Sequence, residues 1–372
     1  MLPFEDIKIL DFSQRLPGPY CSSILADLGA EVIIVERAEE SPETRSVFSG
    51  LFELINRNKK SIALNIKSED GKKIIEKLIS RSDIVIEGFK PGVAERLGIG
   101  YKRVSEIKPS IIYCSISGFG QNGPYRDRVG HDINYLSLSG ILSIPGQPDV
   151  PPSRPGVPMV DLASGMYGAM AIMAALRRRD LEGVGSYIDV SMFDTMISWM
   201  SVRAGSLLIY GKKSQNEHLS PLNNIYETKD GKKISLGIIE QNFWENFCKA
   251  VGRQDLAEDP RFFSPTSRSD HKKELLEIIR EIVANYTLEE LCSSLDWRNV
   301  PYAPVRSIEE ALGDQHIKAR GLLQKIDAGS LGSITEVLFP VKFSNMGTEI
   351  RTPPPQWGQH TEDILKDLGF LE

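Results

Sequence analysis

Two segments carry residue types suited to chemistry. In Gly130-His131-Asp132-Ile133-Asn134-Tyr135, polar, titratable and aromatic groups precede a run that turns apolar. An imidazole there can exchange protons near neutral pH; a histidine held in the core by a neighbouring side chain explains the residue equally well. The other histidines, His218, His271, His316 and His360, stand in polar sequence and read as surface groups. Asp161 follows a segment with six prolines between positions 144 and 160 and precedes an apolar helical run at 162–179. An aspartate at a helix start caps orphan amides, and the same amides can stabilise a developing anion. Arg57, Lys59 and Lys60, with Arg37, form a basic cluster at strand ends, read either as a solvated face or as a site for a phosphate-bearing ligand. Gly118-Phe119-Gly120-Gln121-Asn122-Gly123 matches GxGxxG, but Pro124 follows and no helical pattern does. A glycine-permitted turn is expected there, not a dinucleotide site. Cys114 lies inside an apolar strand and is assigned to core packing.

The elements that must position these groups begin with β-rich runs at 7–12, 31–35, 61–64, 83–86 and 111–115. Their continuous apolar character predicts strands buried on both faces. A helix is expected at 68–80, capped by Ser68 and carrying Ile74, Ile75, Leu78 and Ile79 at helical spacing. This alternation is the signature of a doubly wound α/β domain. The proline-rich segment is read as an extended strap. Past residue 217 the texture changes to a hairpin at 226–234 with Asp-Gly in its turn, then helices near 242–251, 271–286 and 288–295. A strand at 337–343 and a helix at 361–368 close the chain.

With 372 residues, 41% hydrophobic and 25% charged, the chain supports two domains and excludes disorder, collagen and a disulfide scaffold. A formal net charge of -6 gives no reason to expect nucleic acid. Residues 1–10 lack the basic and apolar regions of a signal peptide. The longest nearly apolar stretch, 166–176, is too short to span a bilayer. The four cysteines are far apart and form no metal or disulfide pattern, so a reducing cytoplasm is expected.

Several separated motifs, in order, resemble the family III CoA-transferase (CaiB/BaiF) and α-methylacyl-CoA racemase superfamily. They are Asp11-Phe12-Ser13, Pro17-Gly18-Pro19, Asp27-Leu28-Gly29-Ala30-Glu31-Val32, Asn65-Ile66-Lys67, Glu87-Gly88-Phe89-Lys90-Pro91-Gly92-Val93, Arg96-Leu97-Gly98, the run from Ser117 to Pro124, and Gly358-Gln359-His360-Thr361. The resemblance covers essentially the whole chain. It implies a Rossmann-like large domain (1–205, with a return at 321–372), a linker (206–225) and a smaller α+β domain (226–320), in an interlocked homodimer. It also implies CoA contacts at Arg37, Leu64, Asn65, Ile66, Lys67, Gly88, Phe89, Lys90, Arg96, Gly130, Asp132, Ile133, Asn134 and Tyr135. Arginine suits phosphate through its bidentate fork. Arg37 is followed by Ala38, where family members often have proline. No separate cofactor and no metal are implied, because CoA is part of the acyl-CoA substrate; neither nucleic acid nor a membrane is expected as partner.

Within the superfamily, the segment at Gly130 is similar to the racemase branch, which implies His131 as a catalytic base, Asp161 as the second acid/base and Glu240 as an assisting carboxylate. The expected reaction inverts the α-carbon of a 2-methylacyl-CoA. His131 and protonated Asp161 exchange protons on opposite faces of an enolate. Such transfer gives about 10²–10⁴-fold, so amides at the start of the Asp161 helix are expected to stabilise the enolate. The alternative is a CoA-transferase in which Asp161 is a nucleophile, forming an anhydride and then an aspartyl-CoA thioester. A third reading is a catalytically silent acyl-CoA-binding protein.

Overall fold

The computed structural model describes residues 2–39, 45, 50–212 and 218–372; positions 213–217 of the expected linker lie outside the described residues. Its central feature is a six-stranded, all-parallel sheet in the order β3-β2-β1-β4-β5-β6. The strands are β1 (Lys8–Asp11), β2 (Glu31–Arg37), β3 (Lys59–Leu64), β4 (Ile84–Glu87), β5 (Ile112–Ser117) and β6 (Ser186–Ser191). This is the expected doubly wound α/β architecture. β4 and β5 are buried at every position, because helices cover both faces. β6 was not anticipated: it is an edge strand in which buried side chains do not begin until Val190, so its sequence lacks a continuous apolar run.

β3 starts two residues before the expected position. Lys59 reads as polar, yet its ammonium is buried and donates to the Pro19 carbonyl (2.8 Å), Ser22 Oγ (2.8 Å) and Asn56 Oδ1 (2.9 Å). Bonding on this scale is what a buried ammonium requires. α1 (Pro17–Asp27) follows β1, and α2 (Glu69–Arg81) links β3 to β4. Ser68 Oγ caps α2 by accepting from Gly71 N at 3.0 Å, and Ile74, Ile75, Leu78 and Ile79 are buried as their spacing predicted. Past β5 come α3 (Asp132–Leu138), the long α4 (Met159–Glu182) and α5 (Met192–Met200).

α4 runs well beyond the expected 162–179. By length and composition it could cross a membrane, which corrects the shorter span read from sequence, but half of its apolar window is buried in the protein. Two glycines explain how it enters the core. A Cβ on Gly165 would lie 2.7 Å from the Pro17 carbonyl, and one on Gly168 would lie 3.1 Å from Cys21 Sγ. Only a residue without a side chain lets α1 pack this closely.

The chain forms two compact units: Met1–Ile141, Pro155–Val202 and His316–Glu372 in one, Leu142–Arg154 and Arg203–Gln315 in the other. Against the expected boundary at 205, part of the proline strap belongs to the second unit. There Asp149 pairs with Arg280, and the Pro145 carbonyl meets His218 Nε2 at 2.9 Å. The second unit contains the antiparallel strands β7 (Asn223–Glu227), β8 (Lys233–Gly237) and β9 (Tyr302–Pro304). Gly231, at φ +71°, permits the turn between the first two. α6 (Gln241–Ala250), α7 (Lys272–Ala284) and α8 (Leu288–Trp297) enclose a core built on Trp244, Phe247, Phe262 and Leu291.

In the first unit, β10 (Leu323–Asp327) pairs with β11 (Ser333–Val337). Residues 338–343 leave the strand expected at 337–343, in keeping with Pro340, which cannot donate to a ladder. α9 (Thr361–Asp367) returns to β3: His360 N donates to the Ser61 carbonyl (2.9 Å) and Ala63 N to Thr361 Oγ1 (3.0 Å).

Candidate active site at the carboxyl edge of the sheet

In a parallel sheet all carboxyl ends share one edge, and ligands bind where the strand order reverses, here between β1 and β4. Most positions expected to contact CoA follow from this. Arg37 ends β2, exposed, and its carbonyl accepts Trp357 Nε1 at 3.1 Å. Leu64 ends β3, buried; Asn65 Oδ1 then accepts Lys67 N at 3.1 Å, which folds Asn65, Ile66 and Lys67 into a turn. Gly88, Phe89 and Lys90 follow β4, with Phe89 N donating to Glu87 Oε2 at 2.8 Å. Arg96 lies on a short helix behind them. A Cβ on Gly92 would sit 3.4 Å from Arg96 Nη1 and 3.6 Å from Arg126 Nη2, so two guanidinium groups flank one glycine. Arg126, fixed by Nε donation to the Gln121 carbonyl (3.0 Å), was not among the expected residues.

The cluster of Arg57, Lys59 and Lys60 is structural. Arg57 is buried and pairs with Asp27 (2.6 Å) and Glu336 (3.1 Å), Lys59 is bonded as above, and Lys60 pairs with Glu31 (2.7 Å). Among the described residues, no group of three or more His, Cys, Asp or Glu side chains is arranged to hold a metal ion.

The glycine run after β5 accommodates an aromatic ring. A Cβ on Gly118 would stand 2.3 Å from Tyr135 Oη, and one on Gly130 would stand 3.0 Å from Tyr135 Cε1. Tyr135 Oη donates to the Gly130 carbonyl (3.0 Å), and its ring meets Phe119 edge-on at 5.1 Å. The segment 130–135 is thereby folded onto 118–119. His131 is the exposed N-cap residue of α3, its amide donating to Asn134 Oδ1 at 2.9 Å; Ile133 is also exposed.

Asp132 is buried, and its Oδ2 accepts Val160 N at 2.9 Å, tying the start of α3 to the start of α4. This corrects the capping role expected of Asp161. α4 begins two residues before Asp161, Pro158 is its N-cap residue, and an orphan first-turn amide is satisfied by Asp132 from another helix. Asp161 is half-buried in that turn, and no donor among the described residues hydrogen-bonds its carboxylate. Burial above all, with the charge of Asp132, pushes its pKa up to about 6, while Arg15 opposes the rise. Burial and the Asp161 charge push the Tyr135 hydroxyl up as well. The first unit thus brings together Asp132, Tyr135 and Asp161. Glu240 is in the second unit, the exposed N-cap residue of α6.

Sequence reasoning missed two further titratable groups. Glu87, the last residue of β4, is pushed up to about 7, chiefly by burial and against the hydrogen bonds it accepts from Ser115 and Phe89 N. A carboxylate closing a fully buried strand was the available signal. Arg15, in the turn before Pro17-Gly18-Pro19, is the other.

A family model described as CoA-transferase family III matches residues 4–361. An acyl-CoA transferase of Fusarium pseudograminearum is 34% identical, covering 98% of this chain and 84% of that protein. Human succinyl-CoA:glutarate CoA-transferase is likewise 34% identical, over 98% of this chain and 86% of its own length. Among solved structures, a CaiB/BaiF family protein from Brucella suis superimposes with a TM-score of 0.87 at 29% identity, covering 99% of each chain. These relatives overturn the expected racemase reaction: proteins similar along the whole chain are named CoA-transferases, not isomerases. The match over nearly every residue shows that the chain belongs to CoA-transferase family III.

Proposed function

We propose that the protein moves CoA from an acyl-CoA to a carboxylic acid, with Asp161 as the nucleophile. The observation that carries this reading is a half-buried carboxylate, without a hydrogen-bond donor among the described residues, that titrates near 6. At neutral pH such a group is about nine-tenths ionised. It is also poorly solvated, which favours attack.

The Asp161 carboxylate attacks the thioester carbonyl, forming a mixed anhydride and releasing the CoA thiolate. The thiolate attacks the Asp161 carbonyl, giving an aspartyl-CoA thioester and the free donor acid. The acceptor carboxylate then attacks this thioester, again releasing CoA thiolate and forming a second anhydride. In the last step the thiolate takes the acceptor acyl group and Asp161 is regenerated. Each step passes through a tetrahedral oxyanion. The N–H groups of Met159 and Asp161 have no acceptor within α4, which supports a part for them in stabilising it. No proton moves to or from carbon, so His131 and Glu240 have no obligatory part.

Lys67, Lys90, Arg96 and Arg126 supply exposed or half-exposed cations along the sheet edge for the phosphates of CoA, with Arg37, Leu64–Lys67, Gly88–Lys90 and 130–135 completing its contacts. By likeness to the human relative, succinyl-CoA and glutarate are the first substrates to assay. The exposed Met166, Tyr167 and Met170 on α4, and separately Leu207 to Tyr210, support a homodimer, which light scattering checks. Four free thiols fit the cytoplasm. Mixing with succinyl-CoA should give a protein mass increase equal to CoA less one water, the mass of the aspartyl-CoA thioester. Asp161→Asn should lose both that adduct and at least about 10³-fold in transfer rate; transfer unaffected by this change would refute the reading.

A further inference from the structure

Arg15 lies in the turn between β1 and α1 with φ +68°, a left-handed conformation that few arginines adopt. Such a conformation persists only where the surroundings over-determine it. They do so here from both sides. Ahead of the turn, Ser13 donates from its amide (2.8 Å) and from its hydroxyl to Asp11 Oδ1, and buried Asp11 also accepts Ser22 Oγ. Behind it, the chain folds back so tightly that a Cβ on Gly18 would lie 2.1 Å from Ser13 Oγ. The Pro17 carbonyl rests against Gly165, one helical turn beyond Asp161 on the same face of α4. The turn is therefore clamped beside the Asp161 end of that helix.

What this support presents is an exposed guanidinium with no hydrogen bond or ion pair among the described residues. Its charge nevertheless reaches Asp161, where it acts against burial and Asp132. Two carboxylates, Asp132 and Asp161, repel any anionic acid that approaches. A monocarboxylate loses its charge on becoming the thioester, whereas a dicarboxylate keeps a second charge throughout. That remote charge needs a fixed cation nearby, and a guanidinium fork binds a carboxylate bidentately.

We infer that Arg15 binds the remote carboxylate of a dicarboxylic acid and thereby selects dicarboxylic over monocarboxylic acceptors. This rests on Asp161 being the transfer nucleophile. The test uses the full-length protein with succinyl-CoA as donor and, as acceptors, glutarate and pentanoate, which share a chain length and differ by one carboxylate. The quantity read is the ratio of kcat/KM for the two, so any effect on the donor cancels.

The wild type should favour glutarate. Arg15→Gln should lower the ratio about 10- to 100-fold, the range of one lost charge-assisted hydrogen-bonding pair, mainly through KM for glutarate, and Arg15→Lys should retain part of it. Circular dichroism checks the fold of each variant, and a variant that does not fold is replaced by Arg15→Met. An unchanged ratio in a folded variant, while the wild type still forms the CoA adduct, overturns the inference and leaves the transfer reading standing. Wild-type rates in Asp161→Asn would overturn both.

Discussion

Replacing Asp132 with asparagine should increase activity in acid. The amide oxygen of asparagine can still accept Val160 N, now bonded at 2.9 Å, so the joint between α3 and α4 is kept while one negative charge beside Asp161 is removed. That charge is the second cause of the raised Asp161 pKa; burial, the first, is untouched. The variant's Asp161 should therefore titrate between its ordinary 3.8 and about 6. With titration near 6, roughly one molecule in eleven has an ionised Asp161 at pH 5, whereas near 3.8 almost all do. If rate follows the ionised fraction, kcat/KM at pH 5 rises by about 2- to 10-fold, and at pH 8 it stays within about twofold. The assay is an initial-rate pH profile of transfer from succinyl-CoA to glutarate, with the melting temperature measured alongside. An acid limb that stays in place or moves upward, in a variant that melts like the wild type, would refute the electrostatic account of Asp161.

Glu87→Gln should stabilise the protein at alkaline pH. Folding raises Glu87 from 4.5 to about 7, so its favourable contribution is complete below about 4.5 and is lost as pH rises through 7; the glutamine variant should be more stable by roughly 3 kcal/mol at pH 8 and nearly equal at pH 4.5, as read by urea unfolding. Gly118→Ala drives a methyl to 2.3 Å from Tyr135 Oη; with overpacking and the lost bond to Gly130 this should cost about 2–4 kcal/mol and reduce transfer, since Tyr135 anchors the segment that carries Asp132. Arg57→Met leaves Asp27 and Glu336 buried without their cation and should destabilise by about 3–5 kcal/mol in the same unfolding assay. Ser68→Ala removes only the cap of α2; about 1 kcal/mol of stability should go, with transfer unchanged.

The parts of the fold legible in sequence were those where one local signal dominated. β4 and β5 are apolar at nearly every position because they are covered on both faces, and α2 displays a cap and a periodic apolar stripe together. β6 and β9 were illegible because an edge strand needs no continuous apolar run. Lys59 concealed the start of β3, since only the tertiary structure supplies the three acceptors that let an ammonium be buried. At the site, Arg37 was readable as the end of a strand, while Asn65, Lys90 and Arg96 entered only through the family resemblance, because no local pattern marks them as ligand contacts. Arg126 was not readable, because its placement beside Arg96 depends on Gly92, distant in sequence, as well as on the nearby Gln121 carbonyl. Arg15 left a trace in Pro17-Gly18-Pro19, which announces a tight turn entering a helix, but nothing in that motif reveals a left-handed residue beside Asp161.

The segment 130–135 does not mark the reaction type, and its packing explains why. Gly130 is required where the Tyr135 ring passes, Asp132 caps the start of α4, Asn134 caps α3, and Tyr135 fills the space above Gly118. Four of its six residues thus have structural duties that hold whatever chemistry Asp161 performs. Exposed His131 is itself the N-cap residue of α3, so the segment is shaped largely by helix starts and ring packing and does not decide between reactions. Asp161 is the more informative residue. Proton delivery to an enolate would need it protonated in one resting form, whereas attack on a thioester needs it ionised. A carboxyl that titrates near 6 is mostly ionised at pH 7, the form that the proposed attack on a thioester requires.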